Sequence, residues 1–188
     1  MRVVVGLGNP GERYRRTRHN AGFLALDALA ARAGAAGRVR DDAWVAEATL
    51  AGAPALLVKP LAFMNASGPP VARVLAECEG SPADLAVLVD DTALDLGVLR
   101  VRERGSHGGH NGLRSLVETL GTEDFARVRI GVKRGELPGD LAEYVLAEFP
   151  PEEVLVVQEA VGMAADAVWC LLEEGAAAAM SRFNGRRL

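Results

Sequence analysis

Met1-Arg2-Val3-Val4-Val5-Gly6-Leu7-Gly8-Asn9-Pro10-Gly11 is the stretch from which the rest of the chain is read. A short continuous apolar run closed by a Gly-Asn-Pro-Gly turn is the pattern of a strand buried on both faces. The turn also matches G-x-G-x-x-G, the phosphate-cradling loop of dinucleotide-binding folds. That loop works only when a helix begins at the turn and points its N-terminus at the pyrophosphate. Here Pro10-Gly11 opens a polar stretch, residues 12–18, with no apolar period. No acidic residue ends a second strand about 20 residues further on, so the nucleotide reading fails.

Working outward, Asn20 is a predicted N-cap for a helix over residues 21–33, closed by Gly34. Strands are expected at 44–50 and 55–59, joined by a hairpin at Gly52. Ser67 is expected to cap a helix reaching Cys78, with Pro69 and Pro70 in its first turn. Residues 85–89, Leu-Ala-Val-Leu-Val, read as a central strand. Further strands are expected at 99–103 and 125–132, and helices at 112–120, 141–149, 151–174 and 176–183. Strands alternating with helices, plus a hairpin, specify an α/β fold. We expect one domain over residues 1–188, a mixed twisted sheet with helices on both faces.

At 188 residues, 49% of them apolar, the chain can close a core of its own. Cys78 and Cys170 lie in apolar stretches without metal spacing and read as reduced thiols, which fits a cytoplasmic protein. The run Val3-Val4-Val5 is too short for an export signal. The apolar tract 154–172 carries Gln158, Glu159 and Asp166, so it reads as a buried helix and not a membrane span. A formal charge of −4 argues against indiscriminate nucleic-acid binding. Local basic clusters remain, at Arg13, Arg15, Arg16 and Arg18, and at Arg100, Arg102 and Arg104.

In open α/β sheets, functional groups collect at the carboxyl ends of strands. Asn9 follows the first strand, Asn65 the second strand of the hairpin, and Asp90-Asp91 the run 85–89. His19, beside the start of a helix, is either a cap or a general base; Asp90 is the candidate carboxylate to orient it. Asp90-Asp91 alone is equally compatible with a solvated turn or a metal site. The segment Gly105-Ser106-His107-Gly108-Gly109-His110-Asn111-Gly112 is glycine-rich enough for its backbone to approach a ligand. Asn111 there either caps the next helix or holds a water or a carbonyl. His107 and His110 lack a third ligand at metal spacing, so no metal is expected. No serine sits in a G-x-S-x-G elbow and neither cysteine lies in a polar cluster, which favours direct attack by water.

Five blocks then carry a resemblance. Gly6-Leu7-Gly8-Asn9-Pro10-Gly11-Glu12-Arg13-Tyr14 with Thr17-Arg18-His19-Asn20-Ala21-Gly22 resembles the opening of bacterial-type peptidyl-tRNA hydrolases. Lys59-Pro60 with Phe63-Met64-Asn65-Ala66-Ser67-Gly68 is similar to that family's second block, and Asp90-Asp91 with Leu96-Gly97 to its third. Gly108-Gly109-His110-Asn111-Gly112-Leu113 and Arg127-Val128-Arg129-Ile130-Gly131 resemble the fourth and fifth. The resemblance implies a metal-independent, cofactor-free, monomeric hydrolase of the ester between peptide and tRNA. By the same likeness His19 is the proton acceptor, Asp90 holds it, and Asn9 contacts the peptide beside the ester. Asn65 and Asn111 bind near the tRNA 3′ end, Tyr14 and Phe63 shape that site, and Arg102 and Arg129 meet a phosphate. The alternative is a catalytically inactive RNA-binding relative. Asp140-Leu141 stands where the family often has a basic residue.

Overall fold

The strand that opens the chain, β1 (Arg2–Gly6), lies in the middle of the sheet, as its apolar run requires. The structure, a computed structural model, describes residues 1–186; the last two positions of the expected 1–188 domain lie outside the described residues. The other strands are β2 (Arg38–Arg40), β3 (Ala43–Leu50), β4 (Ala53–Pro60), β5 (Leu85–Asp95), β6 (Leu99–Arg102) and β7 (Ala126–Lys133). They form one sheet in the order β2-β3-β4-β1-β5-β7-β6. β4, β1, β5 and β7 run parallel, while β2, β3 and β6 are antiparallel to their neighbours. The mixed sheet expected from the sequence is the one observed.

Helices α1 (Ala21–Arg32), α2 (Gly68–Glu77), α3 (Asn111–Leu120), α4 (Leu141–Leu146), α5 (Val154–Glu174) and α6 (Ala176–Phe183) complete the chain. The two-residue period of β1 divides the core. Val4 packs with Leu26 of α1, Val157 and Val168 of α5 and Phe183 of α6. Val3 and Val5 pack with Val71 and Val74 of α2 and Leu113 and Leu116 of α3. Each face of the sheet thus has its own apolar layer, closed by helices. Residues 151–174 are long and apolar enough to cross a membrane by composition. In the fold, however, Val157, Ala160, Ala164 and Val168 of that helix are buried against the sheet and α1.

Three expectations shift at their boundaries. The hairpin closes at Ala51-Gly52, both at positive φ (49° and 77°), as a two-residue turn with the strand's own twist demands. β5 runs on to Asp95 because pairing with β7 continues past Val89, which draws Asp90 and Asp91 into the strand. The helix expected over 141–149 stops at Leu146; Ala147 and Glu148 turn extended, and Thr17 bridges Glu148 antiparallel. The short exposed edge strand β2 had no apolar pattern to announce it.

Candidate active site

β1 lies between β4 and β5, both parallel to it and reached by connections to its opposite sides, so the carboxyl ends of these strands border a crevice. No helix starts at the glycine turn; a 3-10 turn, Glu12–Tyr14, follows it, and α1 begins only at Ala21. A second 3-10 turn, Arg18–Asn20, carries His19 to the head of α1. Gly22 fixes its height over the sheet. A Cβ there would fall 2.3 Å from Leu88 O and 2.6 Å from Leu7 O. Only glycine lets the first turn of α1 press onto β1 and β5 so closely, and this sets His19 above Asp90.

His19 Nδ1 lies 3.0 Å from both carboxylate oxygens of Asp90. Both residues are buried, Asp90 almost completely. His19 is therefore not a helix cap, and Asp90, not Asp91, is its partner. A second histidine completes the group: His110 Nε2 lies 2.9 Å from Asp90 Oδ1. His110 is the N-cap of α3, its Nδ1 accepting from the backbone N–H of Gly112 (3.1 Å) and Leu113 (3.3 Å). A ring nitrogen that accepts two N–H bonds carries no proton, so His110 is neutral and donates from Nε2 to Asp90. By the same rule His19 presents Nδ1–H to the carboxylate and keeps its lone pair on Nε2. That nitrogen has no hydrogen-bond partner among the described residues.

The electrostatics agree with these roles. Burial by itself pushes the Asp90 carboxyl up, but the hydrogen bonds from His110 and His19, and the positive charge an imidazole beside it carries whenever it is protonated, outweigh it and hold the group well below the usual carboxylate range. Burial pushes the His19 imidazole down; the Asp90 charge and hydrogen bond overcome that, and its pKa is raised above 6.5. Asp90 thus stays ionised while His19 gains basicity.

Asn9 is pinned from three directions. Its backbone N–H donates to Asn20 Oδ1 (2.8 Å), its carbonyl accepts from Asn20 Nδ2 (3.0 Å), and its Oδ1 accepts from Met64 N–H (2.8 Å). The only polar group left to it is Nδ2, a donor. Asn20 stands at the N-cap position of α1 without capping it, because its amide is committed to Asn9. Ser67 likewise heads α2 without a capping bond; its hydroxyl donates to Met64 O.

A cleft of about 230 Å³ is lined by His19, Asp90, Asp91, His110, Asn111, Arg129 and the α4 residues Leu141, Ala142 and Val145, with the glycine-rich loop at its rim. Asn111 is exposed on this cleft and does not cap α3, since His110 does. Tyr14 and Phe63 meet edge to face, ring centres 6.4 Å apart, with Phe63 61% exposed. Asn65 is exposed on the 3-10 turn Met64–Ala66, next to Phe63. Arg129 is engaged by Asp91, Nε to Oδ2 2.9 Å, and largely enclosed. Arg102 is exposed on β6 and faces the same side of the sheet as Arg129, since the register pairs Arg100 with Arg129 and Arg102 with Arg127. A larger hollow, about 450 Å³, lies at the opposite end of β1 and β5. Its charged residues, Arg2 with Asp84 and Arg104 with Asp124, face each other or solvent, and it has none of the buried polar groups of the first cleft.

Sequence reading had missed three supports. His110 is weighed there as a zinc candidate and as part of the fourth block, but not as a helix cap, because histidine is not among the residues that usually cap a helix start. Asn20 was read as a cap. Arg127 was not assigned a task, yet its guanidinium is fully buried and bonds the carbonyls of Gly105, Ser106, Glu123 and Phe125. Burial and the neighbouring Arg129 charge lower its pKa to about 10. It ties the base of the glycine-rich loop to β7.

Among the described residues, ligand types suited to a metal gather at one place: His19, Asp90 and His110 bring ligand atoms within 4.8 Å of one another. The donor set fits poorly. A cation on His110 Nε2 requires its proton to move to Nδ1, where two backbone N–H groups already donate, so binding would cost α3 its cap. His107 is not part of the group; its Nδ1 accepts from Gly109 N–H within its own loop.

An open α/β sheet with a carboxylate-oriented histidine, and no serine or cysteine among the residues lining its cleft, defines a hydrolytic type of site. The chain belongs to the peptidyl-tRNA hydrolase family, whose model matches residues 3–188. It is 48% identical to a peptidyl-tRNA hydrolase of Chloroflexus aggregans, over 98% of this chain and 99% of that one. It is 44% identical to one from Alkaliphilus oremlandii, over 98% and 100%. The crystal structure of the peptidyl-tRNA hydrolase from Acinetobacter baumannii superposes with a TM-score of 0.92 at 30% identity, covering 100% of this chain and 96% of that one.

Proposed function

We propose that this chain hydrolyses the ester between a peptide, or an N-blocked amino acid, and the 3′ ribose of tRNA, with residues 1–188 acting as one catalytic unit. The family membership supports the reaction and its substrate. The observation that carries the mechanism is the hydrogen bond from His19 Nδ1 to a buried, ionised Asp90, with Nε2 left as a base at the cleft.

In this reading His19 Nε2 takes a proton from a water as that water's oxygen attacks the ester carbonyl carbon. Asp90 fixes the tautomer and stabilises the imidazolium that forms, as the aspartate of a serine-protease triad does. Asn9 Nδ2, the one donor left on that side chain, faces the developing oxyanion or the first peptide carbonyl. Collapse of the tetrahedral intermediate breaks the bond to the ribose 3′ oxygen, which takes the proton back from His19. The products are a free carboxylic acid and tRNA. An alcohol leaves far more readily than an amine, so one base and a few aligned amides suffice.

Asn111, Asn65, Tyr14 and Phe63 are proposed to hold the 3′ end of the tRNA, and Arg102 and Arg129 a backbone phosphate. The ion pair with Asp91 supports that reading for Arg129 by keeping its charge at the wall of the cleft. The free thiols Cys78 and Cys170 fit a reducing, cytoplasmic setting. We further propose that the enzyme works as a monomer in solution, without metal, cofactor or membrane. The deciding experiment is release of an N-acetylaminoacyl group from tRNA by wild type and by His19→Ala. Equal rates would remove His19 as the base. Tight tRNA binding with no release by wild type would favour the inactive RNA-binding relative.

A further inference from the structure

Arg18, the residue before His19, is a buried cation the chemistry above does not use. Its side chain is 7% exposed and its Nη2 lies 2.9 Å from Oε2 of Glu153, itself 4% exposed. Nη1 donates to Glu148 O at 2.9 Å. The guanidinium lies over two rings, 4.6 Å from the centre of Tyr144 and 5.2 Å from that of Phe149. The backbone adds two bonds, Arg18 N to Ala147 O and Phe149 N to Arg16 O.

Arg18 grips α4 through Tyr144, the segment just after it through Ala147, Glu148 and Phe149, and the head of α5 through Glu153. Helix α4 supplies Leu141, Ala142 and Val145 to the wall of the cleft facing His19. At its far side Tyr144 Oη donates to Val132 O and accepts from Arg134 N–H, tying α4 to the end of β7. A buried ion pair contributes little net stability against an apolar pair of similar volume. What it does supply is a defined geometry, because a planar guanidinium with two directed bonds and two stacked rings admits one orientation.

We propose that Arg18 and Glu153 are positioning residues: they join the α4 wall to the His19 turn, so that contact of substrate with α4 fixes the imidazole over its water. This rests on the hydrolase reading for its catalytic readout, though the mechanical coupling can be read without substrate. Neither residue touches the reacting atoms; both act through the backbone of residues 17–20.

The test compares Arg18→Met, Glu153→Met, the double variant and Arg18→Lys. Each single methionine variant leaves one uncompensated buried charge and lowers the melting temperature; the double variant regains most of it. If the pair positions His19, kcat for N-acetylaminoacyl-tRNA stays about tenfold or more below wild type in the double variant, with KM within about twofold. The His19 Nδ1–H proton, followed by NMR without substrate, also exchanges faster with water. Recovery of kcat and of slow exchange along with the melting temperature would make the pair merely structural and overturn the proposal. Arg18→Lys keeps the charge opposite Glu153 but loses the second bond and the stacking. It is expected to fold and to show the same fall in kcat and the same faster exchange, and wild-type values for both would also overturn it. Wild-type enzyme that released nothing would remove the hydrolase reading while leaving the exchange measurement to decide the coupling.

Discussion

Asp90 Oδ1 accepts from His110 Nε2 at 2.9 Å and lies 3.0 Å from His19 Nδ1, so one buried oxygen serves two imidazoles whose ring centres are 4.9 Å apart. The two rings are held differently. His110 is fixed by the backbone of α3 and presents only a donor, whereas His19 has a free basic nitrogen. The asymmetry supports the proposed assignment of proton traffic to His19, with His110 holding Asp90 in place.

His19→Ala removes the proposed base while leaving the rest of the cleft lining in place. A fall in kcat of about 10²–10⁴-fold is expected from loss of general-base catalysis. The measure is release of N-acetylaminoacyl groups from tRNA under single-turnover conditions.

The pH dependence follows from the raised His19 pKa. The base must be neutral, so kcat/KM rises with pH through an acid limb centred above 6.5. Asp90→Asn removes the charge that raises it and leaves burial, which lowers it, so the residual activity should show its limb at lower pH. An unmoved limb would separate His19 from the titration. The linkage to stability has a definite sign. A raised histidine pKa stabilises the fold below 6.5, and this contribution fades as pH rises through the folded value. The depressed Asp90 stabilises above 3.8, and its contribution is lost as pH falls towards its folded value. Chemical denaturation from pH 9 down to the lowest pH at which the protein stays folded reads both, and Asp90→Asn should flatten the acid side.

Asn9→Asp keeps the oxygen that accepts from Met64 N–H and exchanges the free donor for an acceptor. Loss of one donor to a developing oxyanion is worth about 10²–10³-fold in kcat. Thermal denaturation of the same variant should shift far less than its rate. A parallel collapse of both would assign Asn9 to structure.

Gly22→Ala tests the height of His19 over the sheet. The added methyl meets backbone at 2.3 Å, which flexible side chains cannot relieve. A loss of about 1–3 kcal/mol is expected from overpacking, seen as a lower urea midpoint. Activity should fall with it, since the turn that carries His19 is displaced.

Arg102→Ala should leave the hydrolytic step unchanged and weaken tRNA binding. If Arg102 meets a phosphate, the slope of log K against log salt falls by about one. An unchanged slope would remove it from the interface.

Fold class was legible because it rests on local patterns. The run Val3-Val4-Val5, the Ala51-Gly52 turn and the apolar strand starting at Leu85 each declare their surroundings through hydrophobic period and turn chemistry alone. The absence of a helix at Gly8-Asn9-Pro10-Gly11 was legible for the same reason. Asn9, His19 and Asp90 could be nominated from strand-end position and side-chain chemistry, and five blocks of resemblance singled out the reaction.

Tertiary structure alone decided how those groups are paired. Nothing within residues 17–20 distinguishes a capping histidine from one held by a carboxylate; that choice is made by Asp90, seventy-one positions away along the chain. The same holds for Asn20 bonding Asn9 instead of capping α1, for His110 capping α3 in place of Asn111, and for Arg18 reaching Glu153 across 135 positions. Hydrophobic period reports whether a residue is inside, because burial repeats along an element. A hydrogen bond between distant side chains has no period, and its partner is set only when the sheet order brings the ends of β1, β4 and β5 together. The sequence determined that His19 would stand near the head of α1; the folded sheet decided that it would meet a carboxylate there.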